Sequence, residues 1–481
     1  MNILFFLIIG LITSFIFPPY FFLPLGFVTF STLSFFFYNN YKNLKLIHYF
    51  FYGFLFGISF FSSYLLWIIN PFFVFEETSN YFFISFLLII LLSIILGLNF
   101  ILINYFNKPN IFVIPIVFTI FEFIISQIFT GFPWVCFSLI ISNFYPGLIL
   151  IKYFGSIPST FIILLFFNLP LVFIIKELSS ITKYSTLSVI LIVPLLLLFN
   201  YLDINKSNVS KSVQIDIFQI NKKINDIEKN TKNLDYLKKL ILKSDSEILV
   251  FGENNYPNLI NDISNFELAN ILKDNQTLVI GSSRIENNKI YNSLISYNKN
   301  KISIFDKKIL VPFGEYLPLR KYLYFMEEIT GPSDFTTGNK ERIIKINNNL
   351  TFIPIICYEI TFYWKIINSS NYDSDFIINI TNDYWFGNLL GPYQHFYITK
   401  LRATEFNKTI IRVSNNGISA ILDSKGNIIQ NTTLNDEQKI THNLTFTKTK
   451  SYFKFHQYIK ILFLIIIILY FIICVIKNEK K

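Results

Sequence analysis

Charged side chains are scarce in this sequence. Asp, Glu, Lys and Arg make up 15% of its 481 residues, where a soluble globular chain carries about 25%. A chain this poor in surface-forming residues is not a soluble protein throughout. The shortage is also uneven: residues 1–202 are nearly continuous apolar runs, 203–452 read like a water-facing domain, and 457–476 are apolar again. Cysteine is scarcer still, with three in the whole chain. Cys136 and Cys474 lie in or beside apolar segments and Cys357 lies in the polar stretch, which excludes a disulfide framework. Basic stripes are missing too. The net charge of +10 comes from scattered lysines with no basic helix or face, which argues against nucleic acid as a partner. Attraction to anionic lipid head groups accounts equally well for a basic domain beside a membrane. No internal repeat, low-complexity tract or long linker is visible.

What is present, first, is a set of apolar segments of membrane-crossing length. A bilayer core of about 30 Å needs roughly 20 apolar residues per helix. Spans are expected near 3–17, 20–38, 49–69, 80–102, 110–129, 155–175, 185–202 and 457–476. Pro18-Pro19 separates the first two, which form either a tight hairpin or one broken helix. A cleavable leader is not expected, because Met1-Asn2 brings no basic residue and no small-residue cleavage site follows. The domains then divide as 1–202, seven or so membrane spans; 203–452, a catalytic domain; and 453–481, a last span with its tail. Lys42 and Lys45, Lys108, then Lys176 and Lys183 fall in alternate connections, and Lys477 to Lys481 close the chain. The positive-inside rule puts these on the cytoplasmic side and residues 203–452 outside. Glu122, within an apolar run, is either a functional carboxyl or one hydrogen-bonded to a neighbouring helix. Phe129 to Trp134 carries aromatic residues suited to the membrane interface.

From residue 203 the pattern changes to short β-branched runs separated by polar, helix-like stretches. Strands are expected at 212–220, 247–253, 277–283, 301–307, 350–359, 375–383, 409–413 and 418–423, and helices near 226–243 and 391–407. This is the pattern of a layered α/β or α+β domain. Three strands end on reactive side chains: Glu253, Lys307 and Cys357. Sheets of this kind place ligand sites at strand ends. A Cys thiolate is a strong nucleophile whose formation is favoured by a neighbouring base and cation. Glu253 is suited to take the thiol proton. Lys307, with the backbone N–H after Cys357, is suited to hold a tetrahedral oxyanion. Acyl transfer through a thioester is the reaction these three allow. Taken singly, a buried Cys is more often core, and a strand-end Glu or Lys more often solvated.

Several stretches carry a closer likeness. Lys307-Lys308-Ile309-Leu310-Val311-Pro312-Phe313-Gly314-Glu315-Tyr316-Leu317-Pro318, Cys357-Tyr358-Glu359, Asn382-Asp383-Tyr384-Trp385-Phe386-Gly387 and Gly391-Pro392-Tyr393-Gln394-His395 resemble signatures of bacterial apolipoprotein N-acyltransferases. Arg402-Ala403, Glu405, Arg412, Asn415-Asn416-Gly417 and the Phe129 to Trp134 segment continue it over almost the whole chain. The resemblance implies a polytopic helical membrane domain carrying an extracytoplasmic nitrilase-like αββα sandwich. It implies Glu253 as general base, Lys307 as oxyanion stabiliser and Cys357 as nucleophile, with Glu315, Tyr358, Glu359 and Trp385 supporting the pocket. His395 is expected to be structural or to contact substrate, since the family's base is a glutamate. The implied donor is a phospholipid, typically phosphatidylethanolamine, and the acceptor a diacylglyceryl-cysteine at a lipoprotein N-terminus. No metal or soluble cofactor is implied, and nothing requires more than a monomer. The implied site is the bacterial inner membrane, with the catalytic domain on the periplasmic side.

The chain departs from the family where Phe251-Gly252 replace the usual Trp-Pro before Glu253, although Pro257 matches. It has no Trp near 221–230, and Ile125 stands where an Arg often follows Glu122. These differences bear on donor preference and lipid contacts. The aromatic-rich segment 321–337 is either a mobile arm over a lipid tail or an ordinary surface loop. Two rival functions share the same residues: a membrane-tethered amidase or nitrilase that passes its acyl group to water, and a catalytically silent lipid-binding protein.

Overall fold

In the computed structural model the chain forms two compact units, one of Met1–Ile68, Phe83–Asn205 and Tyr452–Lys481, the other of Ile69–Phe82 and Lys206–Ser451. The structure describes residues 2–479 apart from 107–109, 129, 205–208, 223–229, 263–265, 300, 347–349 and 448–452. Lys108, Phe129, Lys480, Lys481, the side chain of Cys474 and most of the Trp-free stretch 221–230 lie outside the described residues.

The first unit is helical. Its helices are α1 (Asn2–Ser14), α2 (Pro24–Asn40), α3 (Leu46–Tyr64), α4 (Ser85–Phe100), α5 (Val113–Gln127), α6 (Tyr145–Phe154), α7 (Ser156–Phe167), α8 (Pro170–Ile174), α9 (Ser180–Leu187) and α10 (Val189–Ile204), joined by the C-terminal helix Phe453–Glu479. Leu46–Tyr64, Glu76–Tyr105, Ser180–Leu198 and Phe455–Ile473 are long and apolar enough to cross a membrane, and Asn2–Ser14, Val113–Gln127 and Ser156–Phe167 are shorter apolar helices. The expected span at 155–175 is divided into α7 and α8, because Pro170 has no N–H to continue the ladder and opens a new helix instead. Residues 1–38 form two helices, and the Phe5–Phe36 stack at 5.5 Å shows them folded back as a hairpin. Small residues let α3 and α4 approach closely: a Cβ on Gly57 would stand 2.9 Å from Ser93 Cα, and one on Gly97 2.8 Å from the Phe50 carbonyl oxygen.

Glu122 is buried on α5, and its Oε2 accepts from the Phe137 N–H and the Thr160 hydroxyl, both at 2.8 Å. The carboxyl therefore ties α5 to α7 and to the chain following Trp134. That return carries Trp134 inward. Its ring centroid lies 4.6 Å from that of Trp67 and its side chain is wholly buried, so it is a core residue of the helical unit rather than an interfacial anchor.

The second unit is built on two six-stranded sheets. Their strands are β1 (Val209–Gln219), β2 (Ile248–Phe251), β3 (Thr277–Glu286), β4 (Lys289–Asn298), β5 (Lys301–Asp306), β6 (Ile344–Lys345), β7 (Thr351–Ile356), β8 (Phe376–Thr381), β9 (Ile410–Ser414), β10 (Ala420–Leu422), β11 (Ile428–Asn431) and β12 (Gln438–Thr447). The orders are β12-β1-β2-β3-β4-β5 and β11-β10-β9-β8-β7-β6. The central β1-β2-β3 and β7-β8-β9 ladders are parallel and the outer pairs antiparallel. Both faces of the central strands are covered, which is why they read as unbroken apolar runs. On the first sheet Leu249, Phe251, Leu278 and Ile280 point outward against Leu234, Leu237 and Ile241 of helix α11 (Asn230–Leu242). The opposite face meets the second sheet, where the Glu253 N–H reaches the Thr381 carbonyl at 3.4 Å. Helix α12 (Gly391–Phe406) packs on the second sheet and is buried along most of its length. The αββα sandwich expected from the resemblance is thus the fold.

Two long strands were not expected from the sequence, β4 and β12. The hairpin joining β3 to β4 turns on Asn287 and Asn288, both at positive φ, the two-residue loop that best suits strand twist. Residues 69–82, which read as a connection inside the membrane half, pack with the sandwich. Asn70 Nδ2 donates to the Phe386 carbonyl at 3.0 Å, and the Phe75 and Trp385 rings lie 6.2 Å apart.

Candidate active site

Glu253 and Lys307 follow strands of the first sheet, and Cys357 follows a central strand of the second. All three side chains are buried. Cys357 has φ of +53°, a left-handed conformation that costs a non-glycine residue about 1 kcal/mol or more. The chain needs it to turn from β7 into the one-turn helix Cys357–Thr361, and the turn places the sulfur at the strand end.

The charged groups form a closed ring. Lys307 Nζ lies 2.9 Å from Glu315 Oε1 and 3.6 Å from Glu253 Oε1. Asn292 Nδ2 donates to the same two oxygens at 2.8 Å each. Glu315 reaches this position because the loop after β5 doubles back, with the Glu315 N–H bonded to the Val311 carbonyl and the Val311 N–H to Glu315 Oε2. Burial raises the Glu253 carboxyl above the usual range, with Lys307 opposing and Glu315 adding to it. For Lys307, burial works against the charge, but Glu315 and Glu253 outweigh it and hold the ammonium well above the ordinary lysine value. Burial, then Glu253, pushes the Cys357 thiol far up, against the pull of Lys307. The centre thus sets a thiol that holds its proton tightly beside a buried carboxyl group and a fixed cation. That set can pass a proton from sulfur to carboxylate when an electrophile arrives.

Glu359 lies behind this centre. Its carboxylate accepts from both terminal nitrogens of Arg342 at 2.8 Å and from the backbone N–H groups of Lys308, Ile309 and Ile356. Burial would raise its pKa, but Arg342 and these donors hold it below the usual range. One carboxylate thereby joins the backbone after Lys307 to the backbone before Cys357. Tyr358 is buried next to Cys357 with its ring edge-on to Phe362 at 5.1 Å, and burial raises its hydroxyl pKa. Trp385 is half-buried and lines a cavity of about 280 Å³ with Asn254, Asn382 and Asn415.

His395 belongs to a buried network beside Cys357. Its Nδ1 lies 2.8 Å from Asp383 Oδ1, and it sits against the backbone of Cys357. Asp383 also pairs with Arg412, 2.5 Å from its Oδ2. Against its burial, Arg412 and His395 hold the Asp383 carboxyl down at about 2. Burial, then Arg412, lowers the His395 pKa, although Asp383 opposes. The network reaches the Cys357 thiol through Thr381, whose hydroxyl lies 3.1 Å from Asp383 Oδ1 and 3.3 Å from Cys357 Sγ.

Residues 9–169 match the apolipoprotein N-acyltransferase N-terminal domain, and residues 212–453 match the carbon-nitrogen hydrolase family. An apolipoprotein N-acyltransferase of Rickettsia typhi is 30% identical over 452 residues, covering 89% of this chain and 89% of the relative. The chain belongs to the apolipoprotein N-acyltransferase family. A relative of that name from Wigglesworthia glossinidia brevipalpis is 32% identical over 418 residues, 78% of this chain and 79% of its own. One from Haemophilus influenzae is 28% identical over 464 residues, 88% and 85% of the two chains. Membership makes the chain a membrane-associated acyltransferase whose catalytic half is a carbon-nitrogen hydrolase sandwich.

The structure brings Glu253, Lys307, Glu315 and Cys357 together, sets Tyr358 and Glu359 on the same turn as Cys357, and puts His395 against the Cys357 backbone. Three residues at this candidate site carry no signal in the sequence motifs: Asn292, Arg342 and Thr381. Asn292 was hidden because β4 was not recognised, although Asn287-Asn288 before an alternating stretch is a hairpin signal. Arg342 lies outside any motif and shows only through its partner.

Proposed function

We propose that the protein moves a fatty acyl chain from a membrane phospholipid to the N-terminal amine of a diacylglyceryl-cysteine lipoprotein, through a thioester on Cys357. The observation that carries this reading is the meeting of a buried thiol, a carboxylate and a lysine from two sheets, in a chain whose other half is apolar helices. In the first step Glu253 takes the thiol proton as Sγ attacks the ester carbonyl. Lys307 and the Tyr358 N–H hold the resulting oxyanion. Collapse breaks the ester C–O bond, and the proton on Glu253 goes to the departing lysophospholipid oxygen. In the second step the free amine attacks the thioester, the C–S bond breaks, and a proton returns to sulfur by way of Glu253. Glu315 holds Lys307, Glu359 sets the nucleophile's turn, and Tyr358 and Trp385 line the substrate's path.

The buried position of Cys357 favours this reading over an amidase that uses water, since a thioester kept from solvent outlives its wait for a second lipid. Phosphatidylethanolamine is the proposed donor. A monomer in the bacterial inner membrane, with the residue 203–452 domain on the periplasmic face, meets both substrates without removing either from the bilayer.

The test is mass spectrometry of the purified protein after incubation with phosphatidylethanolamine. A fatty-acyl adduct on the Cys357 peptide is expected, labile to hydroxylamine, absent in Cys357→Ala and discharged by a diacylated lipopeptide. No adduct with any of several phospholipids, where a known acyltransferase of the family is modified in parallel, rules the reading out. Discharge to water at the same rate with and without the lipopeptide would favour the hydrolase.

A further inference from the structure

Asn292 is a buried residue of β4 whose amide nitrogen has two hydrogens and two carboxyl oxygens to serve, Glu253 Oε1 and Glu315 Oε1, at 2.8 Å each. Lys307 Nζ bridges the same two oxygens from the other side, at 3.6 and 2.9 Å. Nitrogen and oxygen therefore alternate around a four-membered ring. The orientation of the amide is fixed by charge, because exchanging its ends would turn a carbonyl oxygen on two carboxyl oxygens. The Asn292 carbonyl on the main chain also accepts the Lys307 N–H at 2.8 Å, so one residue sets both the lysine and its two partners. Both clamps on Glu253 act through Oε1.

We infer that Asn292 is a positioning residue for the general base: by giving one N–H to Glu253 and the other to Glu315, it holds Glu253 as a carboxylate with Oε2 left for the Cys357 thiol. Two carboxyl groups this close otherwise settle by sharing a proton, as in catalytic carboxyl pairs. A proton held between Glu253 and Glu315 would occupy the base before the thiol could use it. The charged and titratable groups facing Glu253 are Lys307 after β5, Glu315 on the returning loop and Cys357 after β7; Asp383 adds its field at the sulfur. Asn292 is a neutral donor to Glu253, as the Cys357 thiol is, and its hydrogen bond lowers the proton affinity that burial raises.

This inference rests on the proposed role of Glu253, so its test reads the thiol and not the lipid reaction. The full-length protein in detergent is alkylated with iodoacetamide across pH, and modification of the Cys357 peptide is followed by mass spectrometry. Loss of two hydrogen bonds to charged groups makes the anions harder to form, so in Asn292→Leu the rising limb of the profile should move up by about one to two pH units. Asn292→Ser, whose hydroxyl serves one carboxylate only, should lie between. Asn292→Leu with Glu315→Gln removes the competing carboxyl and should bring the limb back towards wild type. If the leucine variant does not fold, the serine variant carries the test. A limb that stays at its wild-type pH, or a loss by the same factor at every pH, overturns the inference and leaves Asn292 a packing residue. Wild-type behaviour in Glu253→Gln would instead refute the reading of Glu253 as base.

Discussion

Glu359→Gln should be among the most damaging isosteric changes available in this protein. The carboxylate accepts five hydrogen bonds: two from Arg342 at 2.8 Å and three from the backbone of Lys308, Ile309 and Ile356 at 2.8, 3.2 and 2.9 Å. The Glu359 side chain is 0% exposed and Arg342 3%. Glutamine removes the charge and sets an NH₂ group against donors. Removing one partner of a buried ion pair costs about 3–5 kcal/mol, because the other charge is left without compensation. For a domain of roughly this size, each kcal/mol moves the melting temperature by about 2–4 °C. The expected loss is therefore about 6–20 °C, read by thermal unfolding of the purified protein in detergent. Cys357 reactivity should fall as well, since the same carboxylate joins the backbone beside Lys307 to that beside Cys357. The double variant Glu359→Leu/Arg342→Met should melt above Glu359→Gln, because no charge is left buried alone. The pH dependence has a definite sign. A carboxyl held below its unfolded pKa contributes stability above that value and loses it as pH falls through the folded one. The gap between wild type and Glu359→Gln should thus be full at neutral pH and close below about pH 4. A variant melting within about 2 °C of wild type would mean that the Glu359 carboxylate does not hold the two strand ends in this way.

Thr381→Val keeps the shape of the residue and removes the hydroxyl 3.3 Å from Cys357 Sγ; acylation should slow by about tenfold, with Thr381→Ser near wild type. Gly281→Ala would place a Cβ 2.6 Å from Glu253 Cα and 2.7 Å from the Asn254 nitrogen. Backbone cannot yield as a side chain does, so the variant should lose about 1–3 kcal/mol in denaturant unfolding and most of its acylation rate. Burial pushes Lys408 down to about 8 from 10.5, so the folded state binds fewer protons between those values and stability should climb with pH across that window. Lys408→Met should abolish the climb and be the more stable protein at neutral pH.

The sequence was most legible where physics leaves one answer. Apolar runs of membrane length, and strands such as Ile248–Phe251 and Phe376–Thr381 covered on both faces, declare themselves by composition. The strand ends bearing Glu253, Lys307 and Cys357 were found for the same reason, since a polar group closing a buried strand is an anomaly. Edge and hairpin strands were harder. β12 (Gln438–Thr447) alternates polar and apolar residues in a stretch rich in Thr, Asn and Lys, and looks like loop until it is paired with β1. The supporting partners were harder again: Arg342 is 17 positions from Glu359 and Asn292 is 39 from Glu253, and neither separation has a periodicity to reveal it. Trp134 was misjudged because an aromatic residue after a helix end suits an interface and a core alike. The Glu122 contact that turns it inward is tertiary.

The division of the reactive groups between two sheets has a consequence for how this protein is made. Either sheet with its own helix could collapse early during synthesis, and neither then holds more than part of the chemistry. Cys357 emerges with one layer, while Glu253 and Lys307, its proposed base and cation, belong to the other. A chain still unfinished therefore carries a cysteine without the carboxyl and the ammonium that face it in the closed sandwich. The thiol meets its proposed proton acceptor when the two layers close face to face. Assembly of the sandwich is in that sense the step that completes the proposed chemistry.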